Sequence, residues 1–223
     1  MAINSLYNWP VSNPQAVSVS QDVTDNNFFV LNGDLVDPFL PNQISFIKYG
    51  FTRNVRITSE NDDTGITFVI TGMQNGIAIT EDVVGGNATS VYSTNSYDVI
   101  NSIKVTNGDV LNVQIGTGNI GYLPVIVLNN VVHVLQAVSL SIRLSNNGGS
   151  LQYNVYASTE FFTKYLYTYD QMINNGIIFQ TMITDEQNSN VLSDVLISNL
   201  FLVQITASQN PDIDSAVVAF LQL

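Results

Sequence analysis

The residues of this chain that could do chemistry are few and scattered. There is one histidine, His133, and no cysteine. A catalytic imidazole needs an acid to orient it and a nucleophile within reach. His133 falls instead on the polar parity of an alternating segment, 131–144, with Ala137, Ser139, Ser141 and Arg143. Val132, Val134, Val138, Leu140, Ile142 and Leu144 make the opposite face, so an exposed strand position is expected for the histidine. Without cysteine there is no disulfide, no thiolate nucleophile and no Cys-based metal site.

Glu60, Asp62 and Asp63 are the densest acids. Hard cations such as calcium take clustered carboxylate and carbonyl oxygens, but the EF-hand loop needs acids at alternate positions and a distal Glu. Asp and Asn in a turn also bond their own backbone, and that use is expected here. Thermal melts with and without a chelator should therefore coincide; a marked drop with chelator would place a structural metal at this turn. Arg53 shares the apolar parity of Phe51, Val55 and Ile57. An inward cation belongs at a strand end or beside an acid, and Asp62, Asp63, Glu81 and Asp82 are the candidates; an anion contact is the alternative. The glycines of 116–121 lead into Tyr-Leu-Pro-Val-Ile-Val rather than a helix, so a linker is expected there and not a phosphate cradle. Asn87-Ala88-Thr89 matches a glycosylation sequon, and Gly85-Gly86-Asn87 reads as a turn where the chain changes sheets.

Aromatic residues offer binding rather than catalysis. In 161–169, alternation puts Phe161, Tyr165, Tyr167 and Tyr169 together. Dense tyrosine serves as an interface anchor or a carbohydrate platform, and also builds ordinary cores. Tyr7 and Trp9 are the large anchors of a polar N-terminal stretch. An interface role is expected for Tyr7, Trp9, Tyr165, Tyr167 and Tyr169.

The elements that must carry these groups are strands. Apolar residues take every second position: Ile66, Phe68 and Ile70 share a face, as do Ile77, Ile79 and Val83. Breaks fall at Asp-Asp-Thr-Gly, Asn75-Gly76, Gly85-Gly86-Asn87 and Asn107-Gly108-Asp109, and Asn-Gly accommodates the positive φ of tight hairpins. Ile103 and Val105 against Leu111, Val113 and Ile115 make the clearest hairpin signal, and 151–157 is expected to return as the partner of 131–144. A helical turn is expected over 170–175. Against 18 acids stand 6 basic residues, a net charge of -12, which opposes nucleic acid and anionic membrane. Only 11% of residues are charged, so the surface is covered by uncharged polar groups, as suits packing in a large assembly or a plain β-rich domain. The first thirty residues lack the basic and apolar regions of a signal peptide, and no apolar run approaches the roughly 20 residues of a membrane span.

One stretch carries a family likeness. Arg53 to Ile57, Ser59, Asp62, Asp63, Gly65 to Phe68, Thr71, Gly72, Gly76, Glu81, Gly85, Asn87, Ala88 and Val91 resemble a group of tailed-bacteriophage virion proteins of β-sandwich type. Val99 to Val105, Val110 to Gly116, Leu200 to Thr206 and Val217 to Gln222 fit its later strands. The first fifty residues and 160–190 lie outside the likeness. The resemblance implies a capsid decoration or cement protein, or a tail or adaptor component.

The expected fold is all-β: antiparallel β-sandwiches, immunoglobulin-like or jelly-roll-like, with an extended N-terminal arm. The expected organisation is an arm over 1–24, a first β-sandwich unit over 25–121 and a second over 122–223, or one continuous domain. The expected function is non-enzymatic and without cofactor. The chain is expected to bind neighbouring capsid or tail subunits and further copies of itself in a virion assembled in the host cytoplasm, with no nucleic-acid or membrane partner. A carbohydrate- or receptor-binding fibre module is the alternative.

Overall fold

The computed structural model describes residues 2–7, 13–46, 52–122, 126–127, 137–146, 151–158, 168–169, 171, 180–183, 191–192, 196–197, 200–207 and 213–222. Their regular structure is strand: β1 Ala2–Tyr7, β2 Ser18–Val23, β3 Val36–Asp37, β4 Leu40–Ser45, β5 Arg53–Thr58, β6 Thr67–Gln74, β7 Ile77–Val84, β8 Ser90–Tyr97, β9 Val99–Thr106 and β10 Val110–Thr117. There follow β11 Ile120–Tyr122, β12 Ile126–Val127, β13 Ala137–Asn146, β14 Leu151–Ser158, β15 Gln180–Ile183, β16 Val191–Leu192, β17 Leu196–Ile197, β18 Leu200–Ala207 and β19 Ile213–Gln222. The fold is all-β and sandwich-like, as the alternation implies. Among the described residues every strand pairing is antiparallel.

The chain divides into two compact units. One is continuous but for three residues, Ser12–Lys48 with Thr52–Asn119; the other is split, Met1–Val11, Tyr49–Phe51 and Ile120–Leu223. We call them the inserted and the split unit.

In the inserted unit one sheet runs β2-β10-β5-β8 and the other β3-β4-β9-β6-β7. With β3 taken as a short extension beside β4, the strands stand in the order first, eighth, third, sixth and second, seventh, fourth, fifth. That is the order of a jelly roll, two interlocked Greek keys. Val55, Ile57, Val113 and Ile115 of one sheet and Phe68, Ile70, Ile103 and Val105 of the other are buried and form the core between them. Residues 26–31 run along β9 as an irregular flank: Phe29 N donates to Ile103 O at 2.9 Å, and Val105 N to Asn27 O at 2.9 Å. Phe29 and Leu31 point inward, and the Phe29 ring lies 6.2 Å from that of Phe68.

The split unit repeats the scheme. Its sheets run β1-β19-β13-β16, with β17 also on β13, and β11-β18-β14-β15, with β12 also on β18. With β11/β12 and β16/β17 each taken as one interrupted strand, the order is again first, eighth, third, sixth and second, seventh, fourth, fifth. In the sequence, the inserted jelly roll therefore occupies the connection between the first and second strands of the split one.

Three expectations change. The described parts of 1–24 do not form an extended arm: β1 pairs with β19 without interruption from Ala2↔Leu221 to Tyr7↔Ala216, and β2 pairs with β10. Backbone groups settle this where side chains gave no sign, because a polar strand at a sheet margin satisfies its amides through the ladder. Nor do the residues flanking Asn107-Gly108 form a hairpin. β9 lies between β4 and β6, and β10 between β2 and β5, so the turn carries the chain from one sheet to the other. β13 and β14 likewise belong to different sheets and are not partners. The hairpin at Asn75-Gly76 does form, with Gln74↔Ile77 closing a two-residue turn whose φ values are 49° and 78°. Of the helical turn expected over 170–175 only Gln171 is among the described residues; Thr168 N donates to its Oε1 (2.9 Å) and its N to Thr168 Oγ1 (3.2 Å), a reciprocal capping pair.

Ala88 has φ 48° in the β7–β8 turn. The left-handed region costs an L-residue with a Cβ roughly 1–2 kcal/mol, partly offset by the lower chain entropy of alanine in the unfolded state. Ala88→Gly is expected to stabilise by about 0.5–1 kcal/mol in urea melts. An unchanged or lower midpoint would show that the turn is not strained.

Candidate functional site

The inserted unit places its unusual polar groups at the ends and margins of strands. Arg53, the first residue of β5, has 0% of its surface exposed. Its Nη2 donates to the carbonyl of Gly118. Burial pulls its pKa from 12.5 down to about 9, so it keeps its charge at neutral pH. The strand-end position matches the expectation from parity. Two of the acids proposed as its partners have carboxylates that accept bonds elsewhere, Asp62 in its own turn and Glu81 from β8. Asp62 Oδ1 accepts from Thr64 N (3.2 Å) and Thr64 Oγ1 (2.8 Å), closing its own turn. Asp63 is buried; its amide donates to Gly86 O and its carbonyl accepts from Ile66 N, both at 2.9 Å. Among the described residues no group of three or more His, Cys, Asp or Glu is placed to hold a metal ion.

Glu81 has the richest environment of any acid described. It stands on β7 at the inward parity, between Ile79 and Val83. Its Oε1 accepts from Thr94 N at 2.6 Å, and its Oε2 from Asn95 N (3.0 Å), Asn95 Nδ2 (3.0 Å) and Tyr97 OH (3.1 Å). All these donors belong to β8, the margin of one sheet, whereas β7 is the margin of the other. The carboxylate thus joins the sheets where no ladder does. The resemblance had matched Glu81 only as a strand residue. Its inward parity, an acid in an apolar series, is a signal that could have found it.

Tyr97 is fully buried, and its pKa lies far above the ordinary value. Burial is the largest cause, followed by the charge of Glu81 and the hydrogen bond to it. An unfolded tyrosine titrates near pH 10, so above that pH the unfolded state releases a proton that the native state keeps. Tyr97's contribution is therefore complete below about pH 10 and lost as pH rises. Tyr97→Phe should flatten the alkaline loss of stability relative to wild type in urea melts at pH 9, 10 and 11. Parallel losses in both proteins would remove Tyr97 as the cause.

The aromatic expectation divides. Tyr169 is not an exposed anchor: it is 2% exposed and stacks on Tyr122, with centroids 4.4 Å apart and planes at 20°. A large ring that completes an apolar interior stays there when its hydroxyl is accommodated. Gln204 ties this region together, donating to Tyr122 OH at 2.9 Å and accepting from Asn154 Nδ2 at 2.9 Å and Tyr156 OH at 3.3 Å. Tyr7 lies in β1 opposite Ala216. Trp9, Tyr165, Tyr167 and His133 lie outside the described residues. Sequence parity did not single out the exposed apolar groups of the inserted unit, chief among them Phe39 at 89%, Val84 at 58% and Phe28 at 57%. Phe39 sits at the β3–β4 tip between Pro38 and Leu40, its amide held by Asp37 Oδ1 at 2.9 Å. Among the described residues no helix is long and apolar enough to cross a membrane.

These features define a class, a chain of two jelly rolls with one nested in the sequence of the other. No protein-family model matches the chain, and no curated protein matches it.

Proposed function

We propose that this chain is a structural subunit of a tailed-phage particle, packed against neighbouring capsid or tail subunits and against copies of itself. The observation that carries the proposal is the jelly-roll strand order, present twice in one chain. Jelly rolls recur in viral capsid and lectin domains, where both sheets are committed to a core and loops and margins are left for contacts. The surface adds support: few charges and apolar side chains at tips, with Phe39 exposed on a proline-flanked turn. Such groups lose little solvation on contact, and repetition over many copies multiplies a modest contact.

Cross-linking mass spectrometry of intact particles tests the assignment. Cross-links from this chain to major capsid, tail or adaptor subunits are the expected result. Failure to find the chain in purified particles would overturn it. Phe39→Ser should leave the thermal melt unchanged and reduce incorporation.

A further inference from the structure

We infer that the irregular middle of β8 is a carboxylate-binding nest, and that Glu81 occupies it as a ligand supplied by the protein itself. The register between β5 and β8 shows how the nest arises. Asn54 faces Ser96 and Arg56 faces Tyr92, so Ser93, Thr94 and Asn95 together stand opposite Val55. Extra residues on one strand make a bulge, which leaves them outside the ladder and turns their amides away from it. The bulge is fastened from within: Val55 N donates to Ser93 Oγ at 2.8 Å, and Ser93 Oγ donates to Asn95 O at 2.8 Å.

In a regular strand, successive N–H groups point to opposite sides. Here those of Thr94 and Asn95 converge on one carboxylate. Successive amides turned to one side form an anion-binding concavity. Asn95 Nδ2 and Tyr97 OH complete the set, giving four donors around two oxygens. The fastening by Ser93 involves neither Glu81 nor its bonds, so the donors are arranged by the backbone and not only by their ligand. Thr94 is exposed and Glu81 and Asn95 half-buried, so the site opens to solvent. The ligand class follows: a planar monoanion with two acceptor oxygens on a small apolar stem. While Glu81 fills the nest, the two amides are withheld from any strand approaching the β8 margin, a role that charged side chains play at exposed sheet edges.

Chemical rescue tests this in the full chain. Glu81→Ala removes the carboxylate and leaves a space that acetate fits. In chloride buffer at pH 7 its melting temperature is expected to fall by roughly 5–10 °C. Acetate or formate at matched ionic strength should restore at least half of that loss. Acetamide, of similar shape but uncharged, should not, and wild type should be indifferent to the choice of anion. Adding Tyr97→Phe to Glu81→Ala should raise the acetate concentration needed for half-rescue several-fold. If Glu81→Ala cannot be obtained folded in chloride, refolding yield becomes the readout: recovery in acetate supports the nest, and equal failure in acetate and chloride overturns it. Equal melting in acetate, chloride and acetamide overturns it as well, since donors that hold no exogenous carboxylate were never preorganised to bind one.

Discussion

A chain cut to residues 12–119 is expected to fold alone, with a β-type circular dichroism spectrum and one cooperative melt. The reason lies at its ends. Asn13 N donates to Thr117 Oγ1 at 3.3 Å, Thr117 N returns to Asn13 O at 3.1 Å, and Val17 N donates to Ile115 O at 3.0 Å. Entry and exit strands are thus zipped together, the condition under which domain insertion and excision are tolerated. The approach is close at Gly116, where an added Cβ would strike the backbone of Asn13 and Pro14. Gly116→Ala should therefore destabilise the excised unit by about 2 kcal/mol or more, as overpacking does. Among the described residues the unit has its own core and both its sheets, and none of its ladders pairs with a strand of the split unit. A fragment that stays unfolded, or melts without cooperativity, would show that the two jelly rolls stabilise each other.

Deleting residues 2–7 should have the opposite selectivity. It removes β1, whose six residues pair with β19, and leaves the central β19 as a sheet margin. Six antiparallel pairs share about six backbone hydrogen bonds at about 0.5–1.5 kcal/mol net each, so the ladder alone is worth roughly 3–9 kcal/mol. Against a typical domain stability of about 5–15 kcal/mol, that is enough to abolish or sharply lower the split unit's melt and to expose an aggregation-prone edge. The transition of the inserted unit, identified by matching it to the 12–119 fragment, should persist. A deletion that leaves both transitions in place would mean that β1 contributes little. This expectation replaces the one that follows from a loose arm, in which removing the N-terminus spares the fold.

Much of the inserted unit was legible where its strands alternate, as β6 and β7 do throughout. Phe68 and Ile70 on β6 and Ile57 on β5 are inward as their parity requires, and Arg53 sits at a strand end as a buried cation should. The Glu81 site was half legible. Its parity was visible, but its donors Thr94, Asn95 and Tyr97 come from a strand that reads as a polar stretch with tyrosines. No periodicity announces a bulge, because a bulge is a misfit between two strands and cannot be read from either alone. Tyr169 was misassigned because alternation says which residues share a face, not whether another layer covers that face.

The all-β class and the strands around the Asn-Gly and Asp-Asp-Thr-Gly breaks followed from the sequence by itself, since a period of two and such breaks act over a few residues, whereas β1 and β2 read as an arm. Partner choice did not follow in this way. A hairpin and a crossing to the facing sheet bury the same alternate side chains, so the residues around Asn107-Gly108 are compatible with either, and only the ladders of β4, β6, β2 and β5 exclude the hairpin. The same holds at larger scale for β1. Its six residues carry too little apolar pattern to declare a destination, and the free amides of β19, more than two hundred residues away, fix it. Tertiary structure therefore decided that this is a jelly roll inserted in a jelly roll, because hydrogen-bond pairing between distant strands is a property of the whole chain, whereas alternation belongs to each strand alone.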